Sequence, residues 1–106
     1  MTNIDFINQA LPETELLAQL AEECAELSQA ALKLRRVLKR DEVSPTPEGV
    51  AACMTNLQEE IGDVLVCLQA AGYLADVTAQ SEVEEVMRRK TRRWARRLGR
   101  KEEDAE

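Results

Sequence analysis

Apolar residues return at intervals of three and four along most of this chain, and sustained strand alternation is absent. That period belongs to helices with one buried face. Ahead of Pro12 it predicts a short helix over about residues 3–10. Over about 13–40 it predicts a long one, with Leu16, Leu20, Cys24, Leu27, Ala31, Leu34 and Leu38 as its stripe. Acids fill its first turns, and Lys33, Arg35, Arg36, Lys39 and Arg40 its last, a polarity that suits the helix dipole.

The run Asp41-Glu42-Val43-Ser44-Pro45-Thr46-Pro47 breaks that pattern and forms the one clear loop. Thr46 is placed to cap the next helix, with Pro47 at its first position. This helix is expected to reach about residue 74, with a stripe of Val50, Cys53, Leu57, Ile61, Val64, Leu68 and Ala71. Ser81 then caps a final helix to about residue 98, with Gly99 as its stop and an acidic tail beyond. From Val64 to Leu68 the middle helix is apolar at five consecutive positions, which puts Val66 opposite the stripe. A helix apolar on several sides is buried on several sides. The fold class is therefore all-α: three main helices and a short N-terminal one, completed into a four-helix core by association as a homodimer or homotetramer.

With 106 residues the chain is expected to be one domain, 1–106, with an N-terminal segment at 1–12 and a charged tail at 99–106. A composition 44% apolar and 32% charged is that of a folded globular protein. The net charge of −6 argues against nucleic acid as a partner. No histidine is present, which removes the usual general base and the usual zinc ligand. Cys24, Cys53 and Cys67 match neither a zinc spacing nor a disulfide framework, and read as reduced core residues. No stretch has the length of a membrane span and no basic leader opens the chain, so no membrane partner and a cytoplasmic location are expected.

Two acidic clusters share one internal layout. Leu20-Ala21-Glu22-Glu23-Cys24-Ala25-Glu26-Leu27 and Leu57-Gln58-Glu59-Glu60-Ile61-Gly62-Asp63-Val64 superpose on a shift of 37 positions. At about 100° per residue, Glu23 and Glu26 fall on one flank of their stripe, and Glu60 and Asp63 on the same flank of theirs. Glu22 and Glu59 face away. Acids at i and i+3 are neighbours on a helix. Antiparallel packing of the two helices would bring all four together. Grouped carboxylates repel one another and resist ionisation unless a cation compensates them. Hard divalent ions take such oxygen donors. Taken singly, either pair is an ordinary solvated face.

Glu22-Glu23-x-x-Glu26 followed by Glu60-x-x-Asp63 resembles the signature of the MazG-like all-α nucleoside triphosphate pyrophosphohydrolases. That superfamily includes dimeric dUTPases, dCTP pyrophosphatases and phosphoribosyl-ATP pyrophosphohydrolase. The resemblance runs from about Leu16 to Leu98, with 33 residues between Glu26 and Glu60, a longer interval than compact members show. It implies cleavage of a nucleoside triphosphate, non-canonical and deoxy forms included, to a monophosphate and pyrophosphate in a house-cleaning role. It also implies Glu23, Glu26, Glu60 and Asp63 as ligands of Mg2+, with Mn2+ as a substitute. Without a histidine, a carboxylate must relay any proton; Glu22 and Glu23 are the catalytic candidates, with Glu59 conceivable.

Of 14 lysines and arginines, nine lie between Arg88 and Lys101. This run is either a solvated helix paired with Glu82, Glu84 and Glu85 or an anion-binding patch. The resemblance implies that Lys90 and Arg93, three apart on one face, meet the substrate phosphates. Base recognition is left unassigned, because Phe6, Tyr73 and Trp94 are the only aromatics, and Tyr73 and Trp94 read as packing residues. The competing reading is a non-catalytic helical interaction module whose acid pairs are surface charge.

Overall fold

The computed structural model describes residues 1–39, 49–74 and 76–101, and every regular element among them is a helix. The elements are α1 (Asn3–Ala10), α2 (Glu13–Lys39), α3 (Val50–Ala70) and α4 (Val77–Arg97). The backbone gathers into two compact units that part between Ala71 and Gly72.

In the first unit, α1 opens on a capping box. Thr2 Oγ1 accepts from the Asp5 amide at 3.1 Å, and Asp5 Oδ2 accepts from the Thr2 amide at 3.0 Å. The Thr2 amide, and then its hydroxyl, hold the Asp5 carboxyl below its ordinary range. The helix packs on α3, and Asn8 Nδ2 donates to the Ala70 carbonyl at 2.6 Å. That bond satisfies an otherwise orphaned carbonyl at the C-terminal end of α3. Since Asn8 lies just ahead of α2, and the mid-α2 acids meet residues earlier on α3, α2 and α3 run antiparallel. Their pairing builds the core, around buried Leu16, Ala30, Cys53, Cys67 and Ala70.

The inward face of each helix differs from the predicted stripe by one residue over part of its length. On α2 the buried and half-buried positions include Leu16, Leu20, Glu23, Leu27, Ala30, Leu34 and Val37. On α3 they include Cys53, Leu57, Glu60, Val64 and Cys67. Both series alternate steps of four and three, the 3.5-residue repeat of helices that wrap around each other. Cys24, Ala31 and Leu38 were expected inward, as was Ile61, and all four are exposed. Cys24 is therefore not a core residue, while Cys53 and Cys67 are; all three are free thiols. Reading the chain for apolar residues selects Cys24 and Ile61, but the paired helices turn their acidic neighbours Glu23 and Glu60 into the seam.

The boundaries carry three further corrections. The expected cap at Thr46 and Pro47, with its loop, lies outside the described residues, and α3 starts at Val50 behind Gly49, which offers no side-chain cap. It stops at Ala70 rather than near residue 74, because Gly72 takes a left-handed φ of 95° that terminates the helix. In the second unit α4 is capped by Asp76, whose Oδ1 accepts from the Ala79 amide at 2.8 Å, and the predicted cap Ser81 lies inside the helix. Gly99, at φ 100°, ends it as expected. The Gly99 amide bonds the Arg96 carbonyl and the Arg100 amide the Ala95 carbonyl, both at 3.0 Å, the paired bonds of a Schellman closure.

Candidate metal centre

Glu23 and Glu26 on α2 meet Glu60 and Asp63 on α3. One carboxylate oxygen from each of the four lies within 4.8 Å of the others. Glu23 and Glu60 come from the seam and are half-buried, whereas Glu26 and Asp63 lie at its exposed rim. The expectation that all four flank the stripe is thus corrected for the first two. Their inward setting follows from the 3.5-residue repeat, which keeps positions 23 and 60 against the facing helix. Glu22 and Glu59 are exposed and stand outside the cluster.

The electrostatics are those of crowded carboxylates. Burial pushes the Glu23 carboxyl above its ordinary range, and Glu26 and Asp63 push it further; Gln19 opposes the shift. Gln19 Nε2, one turn earlier, donates to Glu23 Oε1 at 3.0 Å. The other oxygen, Oε2, is buried with no hydrogen-bond partner among the described residues, and so is Oε2 of Glu60. A buried acceptor without a partner is costly, more so when it carries charge. Cys67 lies behind this group. Its thiol is raised first by burial and then by Glu23, Asp63 and Cys24.

The donors suit a hard cation. All four are carboxylates, with no imidazole to favour zinc. An octahedral magnesium shell at ~2.1 Å spans about 4.2 Å from oxygen to opposite oxygen, close to the observed spread. The two unpartnered buried oxygens are the atoms such an ion would engage.

Sequence reasoning names the four carboxylates but not Gln19, whose signal was its place one turn before Glu23. The cationic candidates Lys90 and Arg93 sit exposed on α4, where they line a shallow concavity with Arg88, Arg89 and Arg92. Arg88 pairs with Glu85 at 2.8 Å. Tyr73 and Trp94, read as packing residues, are exposed, Trp94 at 61%. No helix among the described residues is long and apolar enough to cross a membrane.

The described residues are those of a helical protein that gathers four carboxylates from two antiparallel helices. The model of the MazG nucleotide pyrophosphohydrolase domain matches residues 12–99, and the chain belongs to that family. Comparison with curated proteins and with solved structures gives no significant match.

Proposed function

We propose that this chain is a magnesium-dependent nucleotide pyrophosphohydrolase that cleaves nucleoside triphosphates, non-canonical and deoxy forms among them, to a monophosphate and pyrophosphate. The observation that carries the reading is the four-carboxylate convergence with its two unpartnered buried oxygens, in a chain of the MazG family. Glu23, Glu26, Glu60 and Asp63 would hold Mg2+, or Mn2+ in its place. The bound ion would neutralise phosphate charge and make a water acidic enough to attack. Glu23 and Glu60 anchor the site from within the seam, and Glu26 and Asp63 close it from the rim.

Water adds across the α–β phosphoanhydride, so one proton must leave the attacking oxygen while pyrophosphate departs. The chain offers no histidine for this, and a carboxylate takes the proton. Glu23 is inside the cluster; Glu22, the other candidate, is exposed and outside it. Lys90 and Arg93 are assigned to the phosphates. Arg93 offers a planar, bidentate donor and Lys90 a point charge.

In this reading residues 1–106 are one MazG-like domain. The working form is a homodimer or homotetramer, because the outward side of α3 leaves Ile61, Leu65 and Val66 exposed, Val66 at 49%. A second copy over that side would complete a four-helix core. Three free thiols accord with a reducing, cytoplasmic setting.

The test is incubation with a panel of canonical and modified nucleoside triphosphates and Mg2+, analysed for monophosphate and pyrophosphate. Release of orthophosphate alone, or turnover indifferent to chelator, would overturn the reading. Absence of both turnover and divalent binding would leave the helical interaction module.

A further inference from the structure

Gln19 is a neutral polar side chain that touches the acidic cluster, and it does so at one oxygen only. Its Nε2 donates to Glu23 Oε1 at 3.0 Å, while Glu23 Oε2 stays buried with no hydrogen-bond partner among the described residues, and one Glu23 oxygen lies within 4.8 Å of one each from Glu26, Glu60 and Asp63. The last torsion of a glutamate is broad, and an unrestrained carboxylate turns freely about it. Crowding by like charges adds a force that swings the group away from its neighbours. A donor fixed on one oxygen removes that freedom and aims the other.

The 37-residue repeat extends one turn further back than the acids themselves. Gln19 corresponds to Asn56, so an amide stands four residues ahead of the seam glutamate on both helices. Asn56 is half-buried and one methylene shorter, and makes no hydrogen bond to Glu60. The two seam glutamates are therefore inequivalent. Among the described residues, Glu23 is held at one oxygen and Glu60 is not.

We infer that Gln19 is a positioning residue for the metal centre: it clamps Glu23 Oε1 so that Oε2 is presented to a divalent cation with Glu60, Glu26 and Asp63. This rests on the metal reading above, and adds a residue outside the carboxylate signature. Hydrogen bonds to ligand side chains tune metal affinity by about 10–100-fold where they have been removed. An exposed partner one helical turn away belongs at the low end.

Gln19→Met keeps the length and helix preference of the side chain and deletes the donor. Gln58→Met, at an exposed α3 position about 200° around the helix from Glu60, controls for the change itself. Mn2+ binding is measured by electron paramagnetic resonance, with melting temperature in chelator as the check on folding. Gln19→Met should weaken Mn2+ about tenfold and raise the Mg2+ concentration for half-maximal turnover by the same factor. The turnover number at saturating metal should stay within about twofold, and Gln58→Met should match the unmodified chain. If the unmodified chain binds Mn2+ and Gln19→Met binds it equally well, the positioning role is wrong and the metal reading stands. If the unmodified chain binds no Mn2+, both fall.

Discussion

Glu23 and Glu60 oppose each other across the α2–α3 seam, and each carries a buried carboxylate oxygen without a hydrogen-bond partner among the described residues. Neither glutamate is placed there by its own preference, because a seam position favours an apolar side chain. The pair weakens the helix pairing that presents it, and a cation would offset that cost.

Replacing either glutamate by its amide separates stability from activity. Glu23→Gln and Glu60→Gln should each raise the melting temperature measured in chelator, since one of four crowded charges is removed. Each should lower pyrophosphate release at least about 100-fold, as expected when a ligand of the metal is lost. In the unmodified chain, Mg2+ at 100 times its dissociation constant should add about 2.7 kcal/mol of stability. Asp63→Asn should lose most of that increment. Melting curves with and without Mg2+ read all of these changes.

The raised Glu23 carboxyl fixes the sign of a pH effect. A group whose folded value lies above its unfolded one holds its proton more tightly when folded. Its contribution is complete below the ordinary glutamate value of about 4.3, and is lost as pH rises through the raised folded value. Asp5, lowered by its capping bonds to Thr2, has the opposite sign: its contribution is present above about 3.9 and lost as pH falls through the lowered value. In chelator, the melting temperature should climb as pH falls through the raised Glu23 value toward about 4.3, then turn over as Asp5 takes its proton below about 3.9. Calorimetry across that range checks it, and Glu23→Gln should flatten the climb. With Mg2+ the dependence should reverse, because metal and proton compete for the same oxygens.

The start of α4 is held by Asp76, not by Ser81. Asp76→Ala should cost about 1 kcal/mol, the usual worth of an N-cap acceptor. Ser81→Ala, at an exposed position inside the helix, should stay within about 0.5 kcal/mol. Denaturant midpoints of the two variants distinguish the two positions.

Val66→Glu tests the proposed oligomer. Val66 is exposed on the side of α3 away from the α2 seam, and an apolar side chain there contributes roughly 1.5–3 kcal/mol when a partner removes it fully from water. The variant should halve or quarter the light-scattering mass and lower activity with it. A mass of one chain for the unmodified protein at micromolar concentration would refute the assembly.

The sequence by itself determined the helices and the four carboxylates that meet. Periods of three and four, Pro12 and Gly99 marked where α1, α2 and α4 lie or stop, and the repeated acid pairs named the cluster and the family before any coordinates. Gly72 was visible too, but an apolar stretch running past it hid its role as the stop of α3. Tertiary structure alone decided which of two adjacent residues faces inward: Glu23 over Cys24, and Glu60 over Ile61. A single helix has no reason to prefer the acid. Two helices wrapped at 3.5 residues per repeat advance the inward face by a fraction of a residue each turn, and that drift carries positions 23 and 60 into the seam. The same packing left two carboxylate oxygens buried without partners among the described residues, whereas the Gln19–Glu23 bond joins side chains one turn apart on α2.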